Sequence, residues 1–217
     1  MERAVNNAHR GRQTRDGIRI YEPSDHAGMQ AAGRLAATIL DEIAEHVFPG
    51  QTTGELDRLI EEKVNAAGAK SATIGYKGYK HASCISVNHV VCHGIPSDKK
   101  LKDGDILNID VTVIVDGWFG DTSRMYVAGK LSRKAERLIQ VTHDALMTGI
   151  AAVRPGNTFG DVGHAIQTFV ESHRMSVVRD FCGHGLGRVF HAPPNVLHYG
   201  RPGTGPVLEE GMFFTIE

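Results

Sequence analysis

No apolar run in this 217-residue chain approaches the roughly 20 residues that a membrane-spanning helix needs. The first twenty residues hold no apolar core of the kind a secretory signal requires. Charge of neither sign dominates: 24 Lys and Arg stand against 25 Asp and Glu, a formal net charge of −1. That balance argues against nucleic acid or a polybasic membrane surface as the main partner. Cysteine is scarce and odd in number, with only Cys84, Cys92 and Cys182. A chain of this length with 41% hydrophobic residues buries a full core without staples, so reduced thiols in a cytoplasmic protein are expected. The composition suits one large domain or two fused halves. The polar stretch Met1 to Gly17, with His9, Arg10, Arg12, Arg15 and Asp16, reads as an arm ahead of a folded domain at 18–217.

What is present begins with a repeat. The run Val47-Phe48-Pro49-Gly50-Gln51-Thr52-Thr53-Gly54-Glu55-Leu56 returns as Val153-Arg154-Pro155-Gly156-Asn157-Thr158-Phe159-Gly160-Asp161-Val162, at an offset of 106 residues. Ile60 and Val64 match Ile166 and Val170 beyond it. A helix is expected before each copy. Ser24 is the expected cap of the first, with a stripe of Met29, Ala32, Ala36, Ile39, Leu40, Ile43 and Val47. Ser132 is the expected cap of the second, with Leu138, Val141, Ala145, Leu146 and Ile150. Each Pro-Gly turn leads to a Thr-started helix, and Thr52-x-x-Glu55 is a capping box. Strands are then expected at Ser83 to Val91 and Ser176 to Phe181. Helix, turn, helix, strands, twice over, implies two halves related by a pseudo-twofold axis, with a ligand cleft at their junction.

Between the copies, Asp105 to Val127 reads as a hairpin. Ile109, Val111, Val113 and Val115 alternate with Asn108, Asp110, Thr112 and Ile114, the period of a half-buried strand. Asp116-Gly117 is a two-residue turn signal, which pairs Val115 with Trp118 and sets Thr112 opposite Asp121. Asp110 then lies diagonal to Asp121 on one face, about 7–8 Å away. Two carboxylates so placed repel unless a cation lies between them. His184 sits between Gly183 and Gly185, and His191 lies between Phe190 and the rigid Pro193-Pro194. Cys92-His93-Gly94-Ile95-Pro96 holds another histidine on a stiffened turn. Asp110, Asp121, His184 and Glu217, the last ending an expected strand Phe213 to Glu217, make the ligand set of a divalent-metal hydrolase.

These runs resemble type I methionine aminopeptidases of the pita-bread fold. The resemblance rests on Asn108-Ile109-Asp110-Val111-Thr112, Gly120-Asp121-Thr122-Ser123, Val91-Cys92-His93-Gly94-Ile95-Pro96 and Phe213-Phe214-Thr215-Ile216-Glu217. It also includes the spaced glycine and histidine pattern from Gly183 to Tyr199, and covers the chain from about Ile18 to its end. It implies an α+β pita-bread fold, in which helices of two pseudo-twofold-related halves pack on an antiparallel sheet. It implies removal of the initiator methionine from nascent proteins. Two divalent ions (Co, Mn, Fe or Zn) are implied: Asp110 on one, Asp121 bridging both, and His184 and Glu217 on the second. His93 and His191 are implied as catalytic residues that also bind substrate, and Glu217 as a proton relay. Tyr76, Tyr79, Cys84 and Phe190 match the methionine pocket. N-terminal peptides of nascent chains, a ribosome contact, a monomer and a cytoplasmic location follow from the same resemblance. His9, His26, His46, His143, His164, His173 and His198 carry no assigned role.

The resemblance is incomplete in places. Relatives continue beyond the position of Glu217 with strands that carry a further bridging glutamate. A partial sequence is therefore expected, with exposed strand edges, weakened or single metal occupancy and little or no peptidase activity. Ala192-Pro193-Pro194 stands where many relatives carry acidic residues, and Lys80 where proline is frequent. The competing reading is a non-catalytic pita-bread module that binds peptides or partners. An Xaa-Pro peptidase of the same fold fits less well.

Overall fold

The computed structural model describes residues 11–217. In chain order the elements are β1 (Arg12–Gln13), β2 (Arg19–Ile20), α1 (His26–Ile43), α2 (Thr53–Ala66), β3 (Lys70–Ser71), β4 (Ser83–Val87), β5 (Asp105–Val115), β6 (Trp118–Ala128), α3 (Arg133–Ala151), α4 (Phe159–Ser172), β7 (Gly183–Gly185) and β8 (Ala192–Val196). The chain separates into two compact units, Ala27–Arg137 and the residues up to His26 joined with Leu138–Glu217. Each unit holds one copy of the repeat. His9 and Arg10 of the expected arm lie outside the described residues; of the rest, Arg12–Gln13 pairs antiparallel with Arg19–Ile20. No helix among the described residues is long and apolar enough to cross a membrane.

In the Ala27–Arg137 unit the sheet is antiparallel, with β5 paired to β3, β4 and β6. Asp116 and Gly117 both take positive φ, which makes the tight turn whose twist suits a hairpin. The register follows: Val115 pairs with Trp118, and Thr112 with Asp121. Ile109, Val111 and Val113 are fully buried beneath α1 and α2, alongside Ile39, Leu40, Ile43, Leu56, Ile60 and Val64. Gly120 is where helix and hairpin come closest. A Cβ there would lie 2.2 Å from the backbone of Ala32 on α1.

The second unit has a smaller core, of Ile18, Ala145, Phe159, Val162, Ile166, Val196 and Leu208. Besides the β1–β2 pair, its sheet among the described residues is β7 with β8, and the segment carrying Phe214 bridges to Gly185 on β7. Both second helices start on a reciprocal capping box, Thr52 with Glu55 and Thr158 with Asp161. Ser132 does cap α3, its hydroxyl accepting from the Ala135 amide at 3.3 Å.

Five expectations need correction. Ser24 is no cap: it sits inside a 3₁₀ turn, Pro23–Asp25, that Glu22 and Asp25 cap reciprocally before α1 begins. Leu138 and Ile150 face outward, 47% and 45% exposed, and α3 buries Val141, Ala145 and Gly149 instead. The first strand stops at Val87, where Asn88 turns into positive φ, and does not reach Val91. Residues 176–181 form no strand: β-branched residues favour a ladder but do not supply one. Phe213 to Glu217 likewise forms only a bridge and two flanking hydrogen bonds, with no full strand.

Candidate functional site

In the hairpin unit, Asp110 and Asp121 occupy one face, opposite Ser123 and Thr112 respectively. The buried Thr112 hydroxyl donates to Asp121 Oδ1 at 3.0 Å, which holds that carboxylate in one rotamer. β4 sets Cys84 beside Asp110 in register. Burial, aided by the Asp110 charge, pushes the Cys84 thiol up to about 11, so it stays protonated and behaves as an apolar lining group. Tyr79 donates its hydroxyl to the Ser83 carbonyl at 2.9 Å, and burial raises its pKa well above the ordinary phenol value. Tyr76 opens the short turn Tyr76–Gly78, with Lys77 Nζ 5.3 Å from its ring centroid. His93 is exposed and adopts a left-handed backbone, φ 55°. Its neighbour explains how. Gly94 is pinned to β4, donating to Ser86 Oγ at 3.0 Å and accepting from the Ile85 amide at 2.8 Å. A Cβ on Gly94 would sit 2.2 Å from the Ile85 carbonyl oxygen, so only glycine allows this approach.

In the other unit, His184 lies on β7 between β8 and the chain segment at Phe213–Thr215. Gly183 and Gly185 permit this: a Cβ on either would lie 2.2 or 2.1 Å from the carbonyls of Thr215 and Pro193. His184 Nδ1 lies 3.1 Å from the Gly185 carbonyl oxygen. That contact places the proton on Nδ1 and makes Nε2 the nitrogen whose lone pair would accept a cation. That Nε2 faces Glu217 Oε1 at 3.4 Å. Thr215 holds both groups, its hydroxyl accepting from the His184 amide at 2.9 Å and donating to Glu217 Oε1 at 2.7 Å. The His191 ring lies 4.2 Å from that of His184 and 4.2 Å from that of Phe190.

Sequence reasoning missed two supporting residues here. His198, kept towards its neutral form by burial, accepts the Glu217 amide proton at 3.2 Å. Thr215 was read only as part of a motif, although its hydroxyl links the His184 amide to the Glu217 carboxylate. Only its place between two ligand types hinted at this, since His184 lies 31 residues away.

The model for the metallopeptidase family M24 matches residues 27–217. A methionine aminopeptidase of Rickettsia prowazekii is 57% identical over 200 residues, covering 92% of this chain and 77% of the relative. Its crystal structure superposes with a TM-score of 0.91, over 92% of this chain and 80% of that one. The Escherichia coli methionine aminopeptidase is 53% identical over 92% of this chain and 76% of its own length. A prolidase from Pyrococcus horikoshii, 22% identical with a TM-score of 0.79 over 91% of this chain and 55% of that one, shares the fold. Two units built on one repeat, with carboxylates on the hairpin of one and imidazoles on the glycine-rich strand of the other, agree with those matches: the chain belongs to metallopeptidase family M24, among the methionine aminopeptidases of the pita-bread fold.

Proposed function

We propose, against the expectation of little or no activity drawn from the sequence, that this chain removes the initiator methionine from newly made proteins as a metal-dependent aminopeptidase. The observation that carries the reading is its 57% identity, over 92% of its length, to a protein named methionine aminopeptidase. That likeness favours an enzyme over a non-catalytic binding module. We assign Asp110, Asp121, His184 and Glu217 as ligands of two divalent ions, with Asp121 shared between them. The donor chemistry supports this: carboxylate oxygens and one Nε2 lone pair suit Co²⁺, Mn²⁺, Fe²⁺ or Zn²⁺. When bound, such ions acidify a water and polarise the scissile carbonyl.

The chain's own residues do the rest. Glu217 takes a proton from the attacking water. His191 donates to the carbonyl oxygen, where negative charge develops and a fixed dipole lowers the barrier most. His93 hydrogen-bonds the peptide beyond the cleavage point or passes a proton to the leaving amine. Tyr76, Tyr79, Cys84 and Phe190 wall the methionine side chain, with thioether–aromatic contacts of about 0.3–1.5 kcal/mol each. The setting is the cytoplasm, the substrates are N-terminal peptides of chains emerging at the ribosome, and the working form is a monomer.

The test is release of free methionine from a Met-Ala-Ser peptide with Co²⁺ or Mn²⁺. Release that needs added metal and disappears in folded Asp121→Asn and His191→Ala variants is expected. Absence of release with every metal, or release indifferent to both substitutions, contradicts the proposal.

A further inference from the structure

Asp57 is a carboxylate on α2, 5% exposed, that the chemistry above does not use. Its Oδ1 accepts from the Ser83 amide at 2.9 Å and the Ser83 hydroxyl at 2.7 Å. Its Oδ2 lies 3.1 Å from His81 Nδ1. Removing a carboxylate from water is costly unless such donors replace the solvent. All three donors come from one short segment, and that segment leads directly into β4. Its far side is tied down as well: the Thr73 hydroxyl donates to the His81 carbonyl at 2.7 Å, and the Ser71 hydroxyl to the Ala82 carbonyl at 3.2 Å. Residues 81–83 are thus clamped between α2 and the strand at Lys70–Ser71.

Tyr79 is hung from this clamp at two points. Its hydroxyl donates to the Ser83 carbonyl, and its ring meets the His81 ring edge-on at 5.6 Å between centroids. Cys84 is the next residue after Ser83. A change at Asp57 or His81 therefore reaches Tyr79 and Cys84 without touching any proposed metal ligand. We infer that Asp57 and His81 are positioning residues that set the shape of the methionine pocket, Asp57 by fixing residues 81–83 and His81 by backing the Tyr79 ring. The inference rests on the assignment of Tyr79 and Cys84 to that pocket. His81 is the informative member. It is partly exposed, so it can be replaced with little risk to the fold, and a glutamine there keeps a donor for Asp57.

The experiment is calorimetric titration of the full chain with L-methionine and, separately, L-norleucine, with folding followed by near-UV circular dichroism. His81→Ala is expected to weaken methionine binding about tenfold, the scale of one lost buried hydrogen bond, and to change the methionine-to-norleucine ratio. His81→Gln should restore most of the affinity, and Asp57→Asn should resemble His81→Ala. A purely structural loss would lower both ligands equally and leave their ratio unchanged, which overturns the inference. Methionine binding lost in Tyr79→Ala but unaltered in His81→Ala overturns it alone. Binding absent from the wild-type chain, or unchanged in Tyr79→Ala, removes the pocket assignment and the inference with it.

Discussion

The loop from Phe48 to Thr52 and the loop from Arg154 to Thr158 are one device built twice. Gly50 and Gly156 both take positive φ, at 100° and 90°. Gly50 donates to Leu101 and Gly156 to Leu208, while Leu101 returns a bond to Gln51 and Leu208 one to Asn157. Even the capping threonines bridge onto matching later segments, at Lys100 and Val207. Beyond these loops the units diverge. One supports a hairpin of two 11-residue strands over a large aliphatic core, and the other a three-residue strand over a smaller one. The comparison separates two jobs. The shared loop sets the helix entry, whereas the sheets present different side chains: carboxylates from a long ribbon, and an imidazole from a glycine-lined slot.

The largest expected contrast lies in the cores. Ile60 and Ile166 are equivalent by the repeat, 0% and 5% exposed. Ile60→Ala should cost towards the upper end of the roughly 2–5 kcal/mol range for such truncations, and Ile166→Ala towards the lower end. Urea unfolding measures both, and equal losses would break the comparison. Next, Thr52→Ala and Thr158→Ala should each cost about 1 kcal/mol, because each removes the same cap. A difference much larger than that would mean the two loops are less alike than their hydrogen bonds.

The smallest effect is on acid stability. The Thr52 amide holds the Glu55 carboxyl below its ordinary 4.5, and the Thr158 and Gly203 amides hold Asp161 below its ordinary 3.8. A depressed folded pKa contributes stability above the unfolded value, and that contribution is lost as pH falls through the folded one. Glu55→Gln and Asp161→Asn should therefore flatten the loss of stability below about pH 4.5 and 3.8 respectively. Thermal unfolding across pH 2–6, an interval that brackets ordinary carboxyl groups, checks this. Unchanged slopes would detach these carboxylates from the caps.

Where a single turn or a strict period decides the geometry, the sequence was legible. Asp116-Gly117 dictates the hairpin register, and with it the shared face of Asp110 and Asp121. Thr52-x-x-Glu55 reads directly as a cap because its partners are three residues apart. The illegible parts depend on partners far along the chain or on local competition. Ser24 had the right chemistry for a cap, but the flanking Glu22 and Asp25 claimed the turn. Val177 and Val178 have strand propensity, yet propensity alone forms no ladder there. Thr215 and His198 reach the His184–Glu217 pair through contacts that no local pattern encodes. The Asp57 clamp spans 26 residues, and no sequence pattern singled Asp57 out.

Metal affinity in this chain tests the account most directly, because the proposal assigns ligands to both units. Calorimetric titration with Mn²⁺ should be compared among the wild-type chain, Asp121→Asn and His184→Ala. Each substitution is expected to weaken binding by more than the roughly 10–100-fold that outer-shell changes cause, with the fold retained. Wild-type affinity in either variant would contradict the proposed assignment of that residue as a metal ligand.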